Sequence, residues 1–278
     1  MKLLYDKLSV EVSKATTRLY STSFSMGVYF LSKNIRNAIY SIYGFVRIAD
    51  EIVDSFGEYD RKCLIERFEA DTYSAIQERI SINPILNSFQ HVVHEYNISY
   101  ELIDAFMQSM RMDLEKPDYT SEKFRQYIYG SAEVVGLMCL QVFTLGDLEM
   151  YELLKPYAMR LGAAFQKVNF LRDIKHDYFT LGRKYFPDMN VTHFTEEAKK
   201  QIEQEIEDDF KVALAGIKML PHSSKIGVYL AYVNYRSLFN KIRKLPASQI
   251  VKKRVRINNG KKISLMIKTL FEVKLNTI

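Results

Sequence analysis

The chain has 278 residues, a formal net charge of +6, 47% hydrophobic residues, 26% charged residues and no tryptophan. That length and apolar fraction suit one large domain or two small ones and exclude a disordered or low-complexity chain. Two cysteines, Cys63 and Cys139, are too few for a disulfide framework and lack metal-site spacing, so both read as buried thiols in a reducing compartment.

The opening "MKLLYDKLSVEVSK" is not a signal peptide, because Asp6 and Glu11 break its apolar run. Helical periodicity then predicts helices over 3–19, 34–55, 59–80, 99–113, 121–145, 148–178, 195–218, 222–243 and 262–274. Breaks fall at "SKN" (32–34), "NP" (83–84), "KPD" (116–118), "FPDMN" (186–190), "LPHSS" (220–224) and "NNG" (258–260). Pro156 is expected to kink or interrupt the sixth long helix. "VVGLMCLQVFTLG", from Val134, falls short of the ~20 apolar residues a membrane span needs, carries Gln141, and reads as a core helix. No linker or repeat divides the chain, so one all-α domain over 1–278 is expected, in the cytoplasm.

Two segments reverse the usual helix pattern. In "YGFVRIADEIVD" (43–54), Tyr43, Arg47, Asp50 and Asp54 fall within an arc of about 60°, and most of the remaining circumference is apolar. In "LGAAFQKVNFLRDIKHD" (161–177), Gly162, Gln166, Asn169, Asp173 and Asp177 share one sector, with Arg172 and His176 beside it. Lys167 and Lys175 are expected to bring part of that helix to water.

Two such helices cannot bury bare carboxylates against each other, since each unpaired charge costs several kcal/mol. Something positive must lie between them. Arg47 and Arg172 would compensate two charges in a purely structural Asp–Arg network. The alternative is a hard cation held by Asp50, Asp54, Asp173 and Asp177. An all-oxygen set favours Mg²⁺, which keeps part of its octahedron for water and substrate phosphate oxygens.

Charge is uneven. From Lys241 to Lys274 there are eleven Lys and Arg against one acid, Glu272: a net +10 that leaves −4 for the rest. Three readings stand: a solvated surface, a dock for anionic lipid or anionic substrate, and nucleic acid. The last is disfavoured because no nucleic-acid-binding module is recognisable. A non-catalytic helical adaptor using this region is the hypothesis from another class, but it has no need of the two acidic stripes.

"RIADEIVD" resembles the first Asp-rich motif of the squalene/phytoene synthase family. "LGAAFQKVNFLRDIKHDYFTLGRKYFP" (161–187) resembles the second, with its Gln-x-x-Asn-x-x-Arg-Asp-x-x-x-Asp spacing and the following Gly-Arg-x-Tyr. "YIYGSAEVVGLM" (127–138) sits where that family has its small-residue helix, "YSTSFSMG" (20–27) resembles its Ser-rich segment, and "KKRVRI" (252–257) its late basic stretch. The paired Asp-Asp-x-x-Asp motifs of chain-elongating prenyltransferases and the Asn-Asp-x-x-Ser-x-x-x-Glu type of terpene cyclases are absent. Three departures stand out: Glu51 replaces a common Asp, Glu133 and Val134 replace a Gly-Thr pair, and "PASQI" replaces a frequent Tyr.

The resemblance implies an isoprenoid-synthase helical fold with a central cavity, and head-to-head condensation of two prenyl diphosphates through a cyclopropylcarbinyl diphosphate. It implies Mg²⁺, replaceable by Mn²⁺, on Asp50, Asp54, Asn169, Asp173 and Asp177. Arg47, Arg172, Gln166, Ser21 and Ser23 would meet the diphosphates. Phe24, Tyr43, Tyr127 and Tyr185 would face a carbocation, and Ala132, Val135 and Gly136 would wall a prenyl tail. Likeness to the bacterial carotenoid branch implies phytoene from two geranylgeranyl diphosphates, without NADPH. Squalene or dehydrosqualene from two farnesyl diphosphates is the alternative. Separately from the resemblance, the net +10 of the C-terminal region leads to the expectation of peripheral association with the inner membrane face.

Overall fold

The computed structural model describes residues 2–115, 120–183, 185–186 and 194–274, which form helices and connecting segments with no strand among them. The breaks at 116–118 and 187–190, and Lys184 and Pro187 of the second motif, lie outside the described residues. Chain order is α1 (Lys2–Tyr20), α2 (Thr22–Tyr29), α3 (Lys33–Ser55), α4 (Arg61–Glu78), α5 (Pro84–Glu95), α6 (Tyr100–Glu115) and α7 (Ser121–Ile128). A π-helical turn (Tyr129–Glu133) leads into α8 (Val134–Phe143). Then come α9 (Leu148–His176), a second π turn (Asp177–Leu181), α10 (Glu196–Met219), α11 (His222–Arg243), α12 (Ala247–Ile250) and α13 (Asn259–Lys274).

Caps set several starts. Asp147 accepts from Met150 N–H at 3.0 Å to open α9, and Thr195 accepts from Ala198 N–H at 3.2 Å to open α10, whose first turn carries Glu196 and Glu197. Asn83 accepts from Ile85 N–H at 3.0 Å and Pro84 takes the first helical position, which together start α5. Helices α2, α5 and α12 go beyond the periodicity expectation. The "NP" pair reads as a break, and it is also a helix start.

Three expectations are corrected. Helix α9 runs through Pro156 without interruption. Proline there forfeits the bond to the Glu152 carbonyl, a loss that costs less at an exposed residue such as Glu152. Cys63 is exposed rather than buried, and Cys139 is half-buried. Lys167 is buried, because its ammonium donates to Asp209 and Glu205 on α10, both at 3.0 Å.

Helix α3 lies at the centre. Ile35, Ile39, Ile42, Phe45, Ala49 and Val53 are fully enclosed, with Phe45 stacked on Phe89 of α5 at 4.0 Å and tilted against Phe106 of α6 at 5.3 Å. Truncating such a core phenylalanine to alanine costs about 3–5 kcal/mol. The α3 polar stripe and the α9 polar sector are what this packing leaves open to the interior. Gly162 lets α9 approach the first π turn: a Cβ there would sit 2.6 Å from the Ala132 carbonyl oxygen. Gly182, at φ +69, turns the chain after the second π turn and aims Arg183 back into the fold.

Candidate active site

The two stripes face a common space, as the sequence predicts, and two further elements enter it. On α3, Arg47 donates to Asp50 at 2.8 Å, also pairs with Glu51, and lies over the Tyr20 ring at 4.3 Å. On α9, Arg172 donates to Asp173 at 2.6–3.1 Å. The same carboxylate receives Arg254, from the segment after α12, at 2.7 and 3.2 Å. Asn169 donates to Gln166 at 3.3 Å and accepts from the Tyr235 hydroxyl of α11 at 3.3 Å. Gln166 in turn donates to Ser131 at 3.3 Å. His176 points outward, 3.9 Å from Asp177, and takes no central place.

Sequence reasoning missed the group that joins the stripes. Arg183, 5% exposed, reaches Asp54 at 2.5 Å and the Val53 carbonyl at 3.2 Å. It also pairs with Asp113 of α6 at 3.5 Å and donates to its carbonyl at 3.3 Å. Asp113 itself is 3% exposed and accepts from the hydroxyls of Tyr127 at 2.8 Å and Tyr185 at 3.0 Å. Tyr127 and Tyr185 therefore sit in a polar girder behind the acids. The Tyr185 ring stacks on Phe170 at 4.1 Å, the Tyr127 ring is tilted against it at 6.0 Å, and neither lines the apolar cavity described below. Arg183 lies inside the quoted Gly-Arg-x-Tyr, so a signal existed. Asp113 and Tyr235 carry none at the level of one sequence.

The charges do not balance. Asp50, Glu51, Asp54, Asp113, Asp173 and Asp177 are six acids, set against the four arginines 47, 172, 183 and 254. Burial raises the Asp50 carboxyl above the usual carboxylate range, with Asp54 adding to the shift and Arg47 opposing it. Burial and the neighbouring Asp173 push Asp177 up to about 8. Asp113 is raised to about 6 by burial, against the pull of Arg183. The arginines alone do not hold every acid ionised at neutral pH, and a further cation would. Among the described residues no three His, Cys, Asp or Glu side chains converge tightly enough to hold an ion by themselves. Carboxylates presented in pairs fit Mg²⁺, which takes one or two of them and completes its shell from water and substrate oxygens.

Beneath this mouth lies an apolar cavity of about 270 Å³. Phe24 and Tyr43, stacked at 4.7 Å, stand on its wall with Gln166 and with Tyr235, which stacks on Phe165 at 3.9 Å. Ala132, Val135 and Gly136 line it where the sequence reading puts them, together with Cys139. Burial raises the Tyr43 hydroxyl to about 12, so it stays protonated and remains a hydrogen-bond donor. Ser21 caps α2, accepting from Phe24 N–H at 3.2 Å, and bonds to Tyr43; Ser23 follows in the same first turn, half-buried. A charged mouth, with four arginines among its acids, over an apolar pocket fits a molecule with an anionic head and a hydrocarbon tail.

Comparison with known proteins agrees. The profile of the squalene/phytoene synthase family matches residues 17–261, and the chain belongs to that family of prenyltransferases, which bind prenyl diphosphates. It is 26% identical over 265 residues to the 4,4'-diapophytoene synthase of Staphylococcus haemolyticus, covering 87% of this chain and 90% of that one. It is 25% identical over 264 residues to phytoene synthase 1 of Solanum lycopersicum, covering 88% of this chain and 63% of the tomato protein. A solved dehydrosqualene synthase superposes with a TM-score of 0.82 at 19% identity, covering 97% of this chain and 98% of that one. Squalene synthase HpnC from Alicyclobacillus acidocaldarius superposes at 0.74 with 21% identity, covering 90% and 97%. The fold is that of these synthases.

Proposed function

We propose that the protein is a Mg²⁺-dependent head-to-head prenyl synthase that makes phytoene from two geranylgeranyl diphosphates. The observation that carries the chemistry is the unbalanced acid cluster at the mouth of the apolar cavity. Mg²⁺ on Asp50, Asp54, Asn169, Asp173 and Asp177 would neutralise charge developing on a departing diphosphate. Arg47 and Arg172 supply fixed positive charge at the same place, and Arg183 and Arg254 do so by the geometry above. Gln166, Ser21 and Ser23 position the diphosphate heads. The cavity excludes water from the allylic carbocation, while the faces of Phe24 and Tyr43 stabilise it. The first diphosphate leaves as C1 of one substrate bonds to the double bond of the other, with loss of a proton. The second leaves from the resulting cyclopropyl compound, and a further proton loss gives the conjugated triene without a reductant.

A second reading, dehydrosqualene from two farnesyl diphosphates, is supported by the staphylococcal relative and its 90% coverage. Incubation with C15 or C20 prenyl diphosphate and Mg²⁺, with and without NADPH, followed by product analysis, separates the two. A C40 triene from the C20 substrate supports the first reading and a C30 triene only from C15 the second. No hydrocarbon from either, in Mg²⁺ or Mn²⁺, overturns both.

A further inference from the structure

Helix α13 is amphipathic in an unusual sense. One face packs on α11 through Leu265, 8% exposed, and Thr269, fully buried, with Glu272 accepting from the Tyr229 hydroxyl at 3.1 Å. The opposite face carries Ile263 (49% exposed), Ile267 (48%), Leu270 and Phe271 (62%). At helical spacing these four span about 100°, directly away from the packed side. Bare aliphatic and aromatic side chains at that spacing form a stripe that favours an apolar medium. In the segment that leads into α13 and in its first turn, Lys252, Lys253, Arg256 and Lys261 are exposed and have no carboxylate partner among the described residues.

We propose that α13 and the basic segment 252–261 form a docking surface for an anionic lipid bilayer, with Ile263, Ile267, Leu270 and Phe271 entering the headgroup–acyl boundary. The two features select this occupant together. A second copy of the chain would bring two regions of net +10 against each other. A nucleic acid would meet the cations but gain nothing from the stripe. An anionic membrane takes both, as interfacial helices do, and no helix among the described residues is long and apolar enough to span it.

The position has a consequence for the site. Lys262 donates to Thr22, at the start of α2, at 2.7 Å, beside Leu19, which is fully open to solvent on one side. Helices α2 and α11 wall the apolar cavity through Phe24, Val28, Val228 and Ala231. Docking through α13 therefore brings to the membrane the helix that packs on α11 and is tied to α2, the two helices that bound the hydrocarbon pocket. Its value for releasing a hydrocarbon rests on the synthase reading, but lipid binding does not, and the test uses no turnover.

The test is flotation of the full chain with vesicles of phosphatidylcholine alone, or of equal parts phosphatidylcholine and phosphatidylglycerol, across a salt series. Binding is expected on the anionic vesicles and should weaken as salt rises. I267E/F271E should lower the partition coefficient at least about tenfold. K252Q/K253Q should lower it by roughly thirtyfold, near 1 kcal/mol per charge. Both pairs are exposed, and unchanged circular dichroism establishes that the variants are folded. Three results overturn the proposal: no flotation with anionic vesicles, equal flotation with neutral ones, or undiminished binding by I267E/F271E. A dimer in sedimentation that I267E/F271E dissociates, with no vesicle binding, overturns it in favour of a protein interface.

Discussion

Helix α9 passes through two clusters of buried charge, and they are built on opposite principles. Near its middle, Asp209 of α10, 2% exposed, is held by Arg160 at 2.9 Å and by Lys167 at 3.0 Å, with Glu205 on the second lysine contact. Acids and bases there are matched and the cluster joins two packed helices. One turn further on, the same helix enters the acid-rich mouth, where six carboxylates face four arginines and an open cavity. A matched cluster stabilises a fold or leaves it neutral, whereas an unmatched one costs stability and persists because something else binds it.

Exchange of function for stability should therefore run in opposite directions at the two clusters. Asp50→Asn and Asp177→Asn should each lower product formation at least about a hundredfold. Both groups are raised in the fold, so they favour the neutral form, and the amides should leave Tm at pH 7 unchanged or higher. A normal turnover in either variant contradicts the role of the cluster, and a collapse in Tm contradicts its imbalance. Asp209→Ala should do the reverse. Leaving the buried Lys167 with the exposed Glu205 as its remaining acid, and Arg160 without Asp209, should cost about 3–5 kcal/mol by denaturant unfolding. Any activity lost should follow the folded fraction.

Asp113 tests where one cluster ends. It does not line the apolar cavity, yet it orders Tyr127, Tyr185 and Arg183, and Arg183 orders Asp54. Asp113→Asn should lower kcat by roughly tenfold through these contacts, as loss of supporting hydrogen bonds around ligating groups does, with KM for the prenyl diphosphate little changed. A change confined to Tm would reduce Asp113 to a packing residue.

The acid stripes were legible in the sequence because helical spacing turns polar atoms in an apolar segment into a line. The rest depends on contacts that spacing does not encode. Asp113 is one of two acids in "AFMQSMRMDLE", and its partner Arg183 lies 70 residues away. Lys167 reads as solvent-facing by residue type, and Asp209, 42 residues on, makes its burial tolerable together with Glu205. Tyr127 and Tyr185 were legible as site aromatics by motif, yet their hydroxyl partners place them behind the acids rather than in the cavity. In the C-terminal segment the charge excess is visible by counting. The apolar stripe of α13 becomes visible only when Leu265 and Thr269 define which side is packed.

Glu133 gives the smallest expected effect and the sharpest sign. It stands at the end of the first π turn, near the matched cluster, where burial and Asp209 raise its carboxyl to about 7 while Arg160 and Lys167 pull the other way. The folded value lies above the ordinary 4.5, so between these limits the folded state binds more protons than the unfolded one. Its contribution to stability is accordingly lost as pH rises through that window. Glu133→Gln keeps the neutral shape at every pH. Its Tm should match the parent near pH 4.5 and exceed it by an increasing margin up to about pH 7, then hold constant. Partial exposure screens the charge, so the gain should be on the order of 1 kcal/mol, or roughly 2–4 °C. Paired thermal melts across that range check it. A difference independent of pH, or one that grows toward acid, would show that Glu133 is charged and satisfied in the fold and that the matched cluster includes it as a full partner.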